Sequence, residues 1–289
     1  MTNTKDKYTI QSIALGLGFF DCVHIGHRKV FDILKYKSKE YNVLPTVVTF
    51  RDNPKLSSLP IYNYFDRERL IKECGIDNIY ALEFEKIKDM TAIDFLNDCI
   101  SKMGIKILVC GNDFRFGNGA KGDIHLLQEF ATLHNIDSVI VDTVNADNQR
   151  VSTTHIRELL NKGNVVQANL LLGSPYFING IVVHGKGIGK TIAPTINMIP
   201  DIKKHSIGQG VYGTHTLVDD KWYRSVTNVG FQPTVDCKVS YIETHIINYS
   251  GNLYGQQCLI KFERKLRDII KFDSIEDLKS QIEIDKNWT

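Results

Sequence analysis

Apolar and polar positions follow two regimes along the chain. Through residue 173, short aliphatic runs alternate with stretches whose apolar residues recur at helical spacing. Residues 12–17 (SIALGL) form a brief apolar run leading into glycine. Over 28–41, Val30, Phe31, Ile33 and Leu34 predict a helix with one apolar face. The run 46–50 (TVVTF) is β-branched and of the buried-strand type. A helix is predicted over 66–74, stopped by Gly75 as its C-cap. Residues 79–84, 107–110 (ILVC) and 138–144 are further strand candidates, and Thr91 with Asp94 has capping-box spacing for a helix running to 103. Strands separated by helices of this length predict a doubly wound parallel sheet. Ligands of such sheets bind beyond the carboxyl ends of the strands, so the residues following Leu17, Phe50 and Cys110 are expected to share one crevice.

Beyond Gly173 the regime changes. Two short predicted helices, 154–162 and 165–172, close the first half. From Phe177 the chain offers strand-like runs broken by Gly, Pro and Asn with no helix between them, which predicts an antiparallel barrel. Ser274 and Asp277 then cap a last amphipathic helix through 284. The expected fold is an N-terminal doubly wound parallel sheet over 1–173, followed by a small antiparallel β-barrel with a C-terminal helix over 174–289.

Composition narrows the function classes. With 289 residues, 43% hydrophobic and 24% charged, the chain has the balance of a globular protein of two domains. No apolar run approaches the roughly 20 residues needed to span a bilayer, and the first residues lack the apolar core of a secretion signal, so a cytoplasmic protein without membrane partners is expected. A net charge of +2, with no basic stripe, argues against nucleic acid. The six cysteines contain no C-x-x-C pair, which predicts scattered reduced thiols rather than a zinc ribbon.

The first candidate site is GFFDCVHIGH, residues 18–27, between a predicted strand and a predicted helix. His24 and His27 stand at the start of that helix, where backbone N–H groups and the helix dipole favour anions. Such a site suits attack at the α-phosphate of ATP, where charge builds on the transferred group and on pyrophosphate. A zinc reading needs a third ligand, which only the fold could supply; the sequence shows no Cys/His cluster offering one.

This stretch resembles the H-x-G-H motif of the nucleotidyltransferase superfamily, in the G-x-F-D-G-x-H-x-G-H form of bacterial FAD synthetases. Gly18, Phe20, Asp21, His24, Gly26 and His27 match, and Cys22 stands where the family has glycine. VVTFRDNP resembles the family's T-F-x-P-H-P, with Asp52 for proline and Asn53 for histidine. The run from Gly111 to Gly117, with Gly122 and Asp123, resembles G-x-D-F-R-F-G…G-D, and Val151 to Arg157 resembles the I-S-S-T-x-I-R loop. The resemblance implies catalytic roles for His24 and His27. It implies ATP and phosphate contacts from Gly18, Phe20, Asp21, Gly26, Ser152, Thr153, Thr154 and Arg157. Asn53, Asp113, Phe114 and Arg115 would bind flavin.

The second candidate site begins at HGKGIGKT. It is not a P-loop, because three residues rather than four separate Gly185 from Gly189 and Pro194 forbids the helix that must follow. GKGIGKTIAPTIN instead resembles the riboflavin kinase segment G-x-G-R-x-x-G-F-P-T-A-N, one residue shorter at Ala193. Asn228, Gly230, Pro233 and Thr234 resemble N-x-G-x-x-P-T, and Glu243, His245 and Leu253-Tyr254-Gly255 resemble E-x-H…L-Y-G. The resemblance implies phosphate contacts from Gly185, Gly187 and Lys190, Mg²⁺ held by Thr195 and Asn197, and Glu243 as general base. It implies a bifunctional enzyme that makes FMN from riboflavin and FAD from FMN with ATP, with any self-association weak. The departures at Cys22, Asp52, Asn53 and Ala193 leave two other readings open: a member with one activity lost, or a flavin- or nucleotide-binding regulator.

Overall fold

A computed structural model describes residues 12–53, 58–146, 149–184, 195–201, 203–234 and 237–289. The first half runs β1 (Ile13–Leu17), α1 (Ile25–Glu40), β2 (Leu44–Phe50), α2 (Tyr64–Glu73), β3 (Asn78–Leu82), α3 (Phe84–Ile87), α4 (Ala92–Phe95), β4 (Ile105–Gly111), α5 (Ile124–Leu133) and β5 (Asp137–Val141). Its five strands form the parallel sheet β3-β2-β1-β4-β5. The doubly wound sheet expected from the sequence is therefore present. All five residues of β1 are buried, as the centre of such a sheet requires.

The strand order reverses between β1 and β4, whose ends lie level: Leu17 pairs with Cys110. A crevice forms at such a switch point because the following loops diverge to opposite faces. A short antiparallel pair follows, β6 (Asn145–Ala146) with β7 (Gln149–Arg150).

Local signals explain most boundaries. Thr91 caps α4 by accepting from Asp94 N, as its spacing predicts. The helix beyond it loosens into a π turn over Leu96–Ile100 and a 3₁₀ turn over Ser101–Met103, ending at Gly104 with φ 67°. α5 was not visible as a periodic element. Its start is set by the Asp123 carboxylate, which accepts from His125 N and Leu126 N.

Arg67 on α2 is the largest wholly buried side chain of the described residues. Its guanidinium donates to Phe19 O (2.9 Å), Thr49 Oγ1 (2.9 Å) and Phe50 O (2.6 Å), and it lies over the Phe19 ring. It thus ties the loop after β1 to the end of β2. Burial lowers its pKa to about 10, so it stays charged at neutral pH, with buried Asp21 as an opposing charge.

The second half runs α6 (Thr153–Asn161), α7 (Val165–Leu172), β8 (Tyr176–Val183), β9 (Ile196–Met198), β10 (Gly210–Val218), β11 (Lys221–Thr234), β12 (Cys237–Ile246), β13 (Gln257–Arg267) and α8 (Ile275–Lys286). The six strands close a barrel in the order β10-β11-β12-β9-β8-β13, and Ser274 caps α8. Thr214, Thr216, Ser225, Thr227 and Thr244 are fully buried, and their hydroxyls bond to one another at 2.8–2.9 Å across β10, β11 and β12. Each buried hydroxyl therefore keeps a partner.

By compactness the chain forms one unit of 1–58 with 62–151 and another of 59–61 with 152–289. α7 packs with the barrel, where Asn169 donates to Phe262 O and accepts from Tyr176 N. Arg67→Leu would remove the charged donor shared by Phe19 O and Phe50 O, a hydrogen bond to a charged group contributing about 1.5–3 kcal/mol. It is expected to destabilise the N-terminal unit by on the order of 3 kcal/mol in urea unfolding followed by circular dichroism. An unchanged midpoint would contradict the clamp.

Candidate active sites

The chain from Gly18 to His24 is a buried turn joining β1 to α1. Phe20 and Val23 adopt left-handed backbone conformations, φ 51° and 48°, although neither is glycine. Gly18 is required by closeness: a Cβ there would lie 2.6 Å from the Phe20 ring. Cys22 is buried, but its φ lies outside the left-handed range, so nothing in the backbone demands the glycine of the family pattern. The sequence departure at Cys22 thus leaves the turn intact.

His24 is the N-cap of α1, its Nδ1 accepting from His27 N at 3.2 Å. An accepting Nδ1 carries a lone pair, so the neutral ring holds its proton on Nε2. The rings of His24 and His27 stack at 3.6 Å between centroids and 12° between planes, and Phe20 meets His27 edge-on at 5.3 Å. A side chain at Gly26 would crowd the His24 ring at 3.0 Å. Burial removes water from the His24 imidazolium and lowers its pKa to about 4. Asp113, which favours the charged ring, and Arg150, which opposes it, act more weakly on it.

The loop after β4 brings flavin candidates to the same end of the sheet as the histidines. Asp113 pairs with Arg150 of β7, and Arg115 lies 3.6 Å from Asp123. Phe114 stacks on Phe116 at 5.5 Å, next to Phe95. Asn53, after β2, donates to Ser58 O at 2.7 Å. Asp21 is buried. Arg150 and Arg67 escaped the sequence reading because each is a lone arginine whose partners come from other segments.

One metal-binding expectation is corrected. The fold supplies the third ligand that the linear sequence lacked: atoms of Cys22, His24 and His27 that can bind a metal lie within 4.8 Å of one another.

The phosphate-loop candidates lie in the second unit. Ser152 caps α6, its Oγ accepting from His155 N at 3.3 Å, with Thr153 and Thr154 forming the first residues of the helix. Arg157 Nη2 donates to Leu59 O at 3.2 Å. His205, whose N–H donates to Pro60 O, is a second histidine lowered to about 4, by burial and then by Arg157.

In the barrel, Thr195 Oγ1 donates to Glu243 Oε1 at 2.8 Å, and Asn197 faces Glu243 across β9 and β12. Thr195 thus reaches Glu243 despite the residue missing before it. Asn228 faces Glu243 on the other side, across β11 and β12, and its Nδ2 donates to Tyr241 OH at 3.4 Å while its Oδ1 is buried without a hydrogen-bond partner among the described residues. Burial and then Glu243 raise the pKa of Tyr241. His184, at the end of β8, stacks on Tyr254 at 3.9 Å. Gly185, Gly187 and Lys190 lie outside the described residues.

A family model described as FAD synthetase matches residues 6–155, and one described as riboflavin kinase matches 172–289. The bifunctional riboflavin kinase/FMN adenylyltransferase of Escherichia coli (strain K12) is 32% identical over 286 residues, 96% of this chain and 91% of its own. The protein of that name from Haemophilus influenzae (strain ATCC 51907 / DSM 11121 / KW20 / Rd) is 32% identical over 288 residues, 96% and 92% of the two chains. A solved structure described as a macrolide-efflux protein from Streptococcus pneumoniae superposes with a TM-score of 0.88 at 30% identity, covering 96% of this chain and 95% of that one. Among the described residues of the present chain, no helix is long and apolar enough to cross a membrane.

The histidine pKa values set an acid response. Folded pKa values of about 4 against an ordinary 6.5 mean that the unfolded chain binds more protons between those limits. Stability from each ring is therefore complete above pH 6.5 and lost as pH falls towards 4, by up to about 3 kcal/mol. His24→Asn keeps a capping oxygen and removes one titration. Its unfolding midpoint should fall less steeply than that of the parent between pH 6.5 and 4; parallel profiles would contradict the assignment.

Proposed function

The chain belongs to the bifunctional riboflavin kinase/FMN adenylyltransferases, carrying an FAD synthetase domain and a riboflavin kinase domain, and from that premise we propose which residues perform each reaction. It phosphorylates riboflavin to FMN with ATP and adenylylates FMN to FAD with release of pyrophosphate. The observation that carries the two-site assignment is that each compact unit holds its own polar constellation, His24 with His27 in one and Thr195 with Glu243 in the other.

In the adenylyl-transfer reaction, a phosphate oxygen of FMN attacks the α-phosphorus of ATP and the bond to pyrophosphate breaks. No covalent enzyme intermediate is needed, so the residues serve to position and to stabilise charge. His24, neutral and protonated at Nε2, is a donor fixed by its cap bond. His27 stands beside it on the first turn of α1, where the free amides and the helix dipole add to the anion site. Arg67 acts as a positioning residue by fixing the loop at Phe19. Asn53, Asp113, Phe114 and Arg115 are the flavin side of this site. Gly18, Phe20, Asp21 and Gly26 are assigned to ATP here, and Ser152, Thr153, Thr154 and Arg157 are assigned to phosphate on the family resemblance alone.

In the kinase reaction, Glu243 takes the proton of the riboflavin 5′-hydroxyl as that oxygen attacks the γ-phosphorus and ADP departs. Thr195 and Asn197 offer oxygen ligands beside that carboxylate, of the kind that suits a hard cation such as Mg²⁺. Such a cation, when bound, supplies positive charge to the phosphates of ATP. Gly185, Gly187 and Lys190 complete the phosphate side. The functional boundary is placed at 173/174 and the enzyme in the cytoplasm, with any self-association weak.

His27→Ala is expected to lower FAD formation by at least about 100-fold while FMN formation persists. Glu243→Gln should do the converse, to a similar extent. Both are checked by chromatography of flavin products. Equal loss of both reactions in a folded variant would refute the two-site assignment.

A further inference from the structure

Cys22 is the one departure in the β1–α1 turn from the family pattern, which has glycine there, and it is almost wholly buried beside both histidines. We propose that Cys22, His24 and His27 form a reversible inhibitory site for a thiophilic divalent cation, with Zn²⁺ as its type. The ligand atoms lie within 4.8 Å of one another. A tetrahedral zinc with Zn–N of about 2.0–2.1 Å and Zn–S of about 2.3 Å separates its nitrogens by about 3.3 Å and sulfur from nitrogen by about 3.6 Å. The histidine rings lie face to face, 3.6 Å between centroids, so their in-plane lone pairs run side by side and one ring must turn out of the stack to close the set. One thiolate and two imidazoles select zinc or a similar ion over Mg²⁺, which takes oxygen ligands.

Three protein ligands leave the fourth tetrahedral position open for water or a phosphate oxygen. Binding the ion also has a defined cost. A His24 nitrogen that ligates the metal can neither carry a proton nor accept from His27 N. Loading therefore sacrifices either the cap of α1 or the Nε2 proton, which keeps affinity moderate and the site reversible. The inhibitory consequence rests on the assignment of His24 and His27 to adenylyl transfer: an ion on both rings removes their donors from the phosphates. FMN formation, which uses the other unit, is untouched.

The test begins with direct binding, which does not depend on catalysis. Metal-free full-length chain is titrated with Co²⁺ as a spectroscopic probe, and Zn²⁺ is then added. One equivalent of Co²⁺ should give a thiolate-to-cobalt charge-transfer band that Zn²⁺ abolishes. Loss of an outer-shell partner already weakens metal sites about 10–100-fold, so Cys22→Ala should weaken Zn²⁺ binding by at least about 100-fold. Cys22→Gly, which restores the family residue, is the second variant should alanine disturb the turn. In assays of the parent, Zn²⁺ should suppress FAD formation from FMN and spare FMN formation from riboflavin; either Cys22 variant should still make FAD and resist zinc. Absence of the charge-transfer band, or zinc binding of equal strength in both variants, would overturn the site. A normal band with FAD formation insensitive to zinc would instead preserve metal binding and overturn the inhibitory consequence and, with it, the assignment of the histidines.

Discussion

The N-terminal unit depends on one strained connection, the buried turn between β1 and α1. Phe20 and Val23 hold left-handed backbone conformations that cost of order 1–3 kcal/mol each, and for a β-branched residue such as Val23 that geometry is a marked outlier. The conformation persists because its surroundings over-determine it. The Phe20 ring fills the space left by Gly18 and packs on Phe31 at 4.7 Å. Arg67 anchors Phe19, and His24 closes the turn by capping the helix. Release of any of these would let the chain relax and part the two imidazoles. The strain and the proposed chemistry therefore share one stretch of ten residues, 18–27.

Under the proposed assignment, that arrangement makes His24 both structural and chemical. Its Nδ1 is spent on the helix cap, its burial keeps the ring neutral, and the remaining N–H is held as a donor. The barrel solves its own problem differently. Its interior is lined partly by hydroxyls that satisfy one another, and Glu243 alternates with buried Ile242 and Thr244 along β12. Thr195 and Asn197 are set against that carboxylate by strand pairing rather than by a strained turn.

Most of the fold was legible in the sequence because its elements are amphipathic or uniformly apolar. The runs at 46–50 and 107–110, the caps at Thr91 and Ser274, and the glycine- and asparagine-broken strands of the barrel all carry local signals. α5 was missed because its opening signal, Asp123, was absorbed into the neighbouring motif. In the site, H-x-G-H was legible as a motif at a helix start. What lay hidden was whatever depends on distant segments: Arg67 reaching Phe19 and Phe50, Arg150 reaching Asp113, and Tyr241 beside Glu243. Cys22 was legible only as a departure from a pattern. Its role as a neighbour of both imidazoles emerges from the folded turn, since residues 22, 24 and 27 have no metal-binding spacing of the familiar kind.

The most direct test of the two-site account is product chromatography of the purified chain with ATP and Mg²⁺, begun from riboflavin in one reaction and from FMN in another. The account predicts FAD in both, with FMN rising and falling as an intermediate when riboflavin is the start. FAD from FMN alone, or a reaction from riboflavin that halts at FMN, would contradict it.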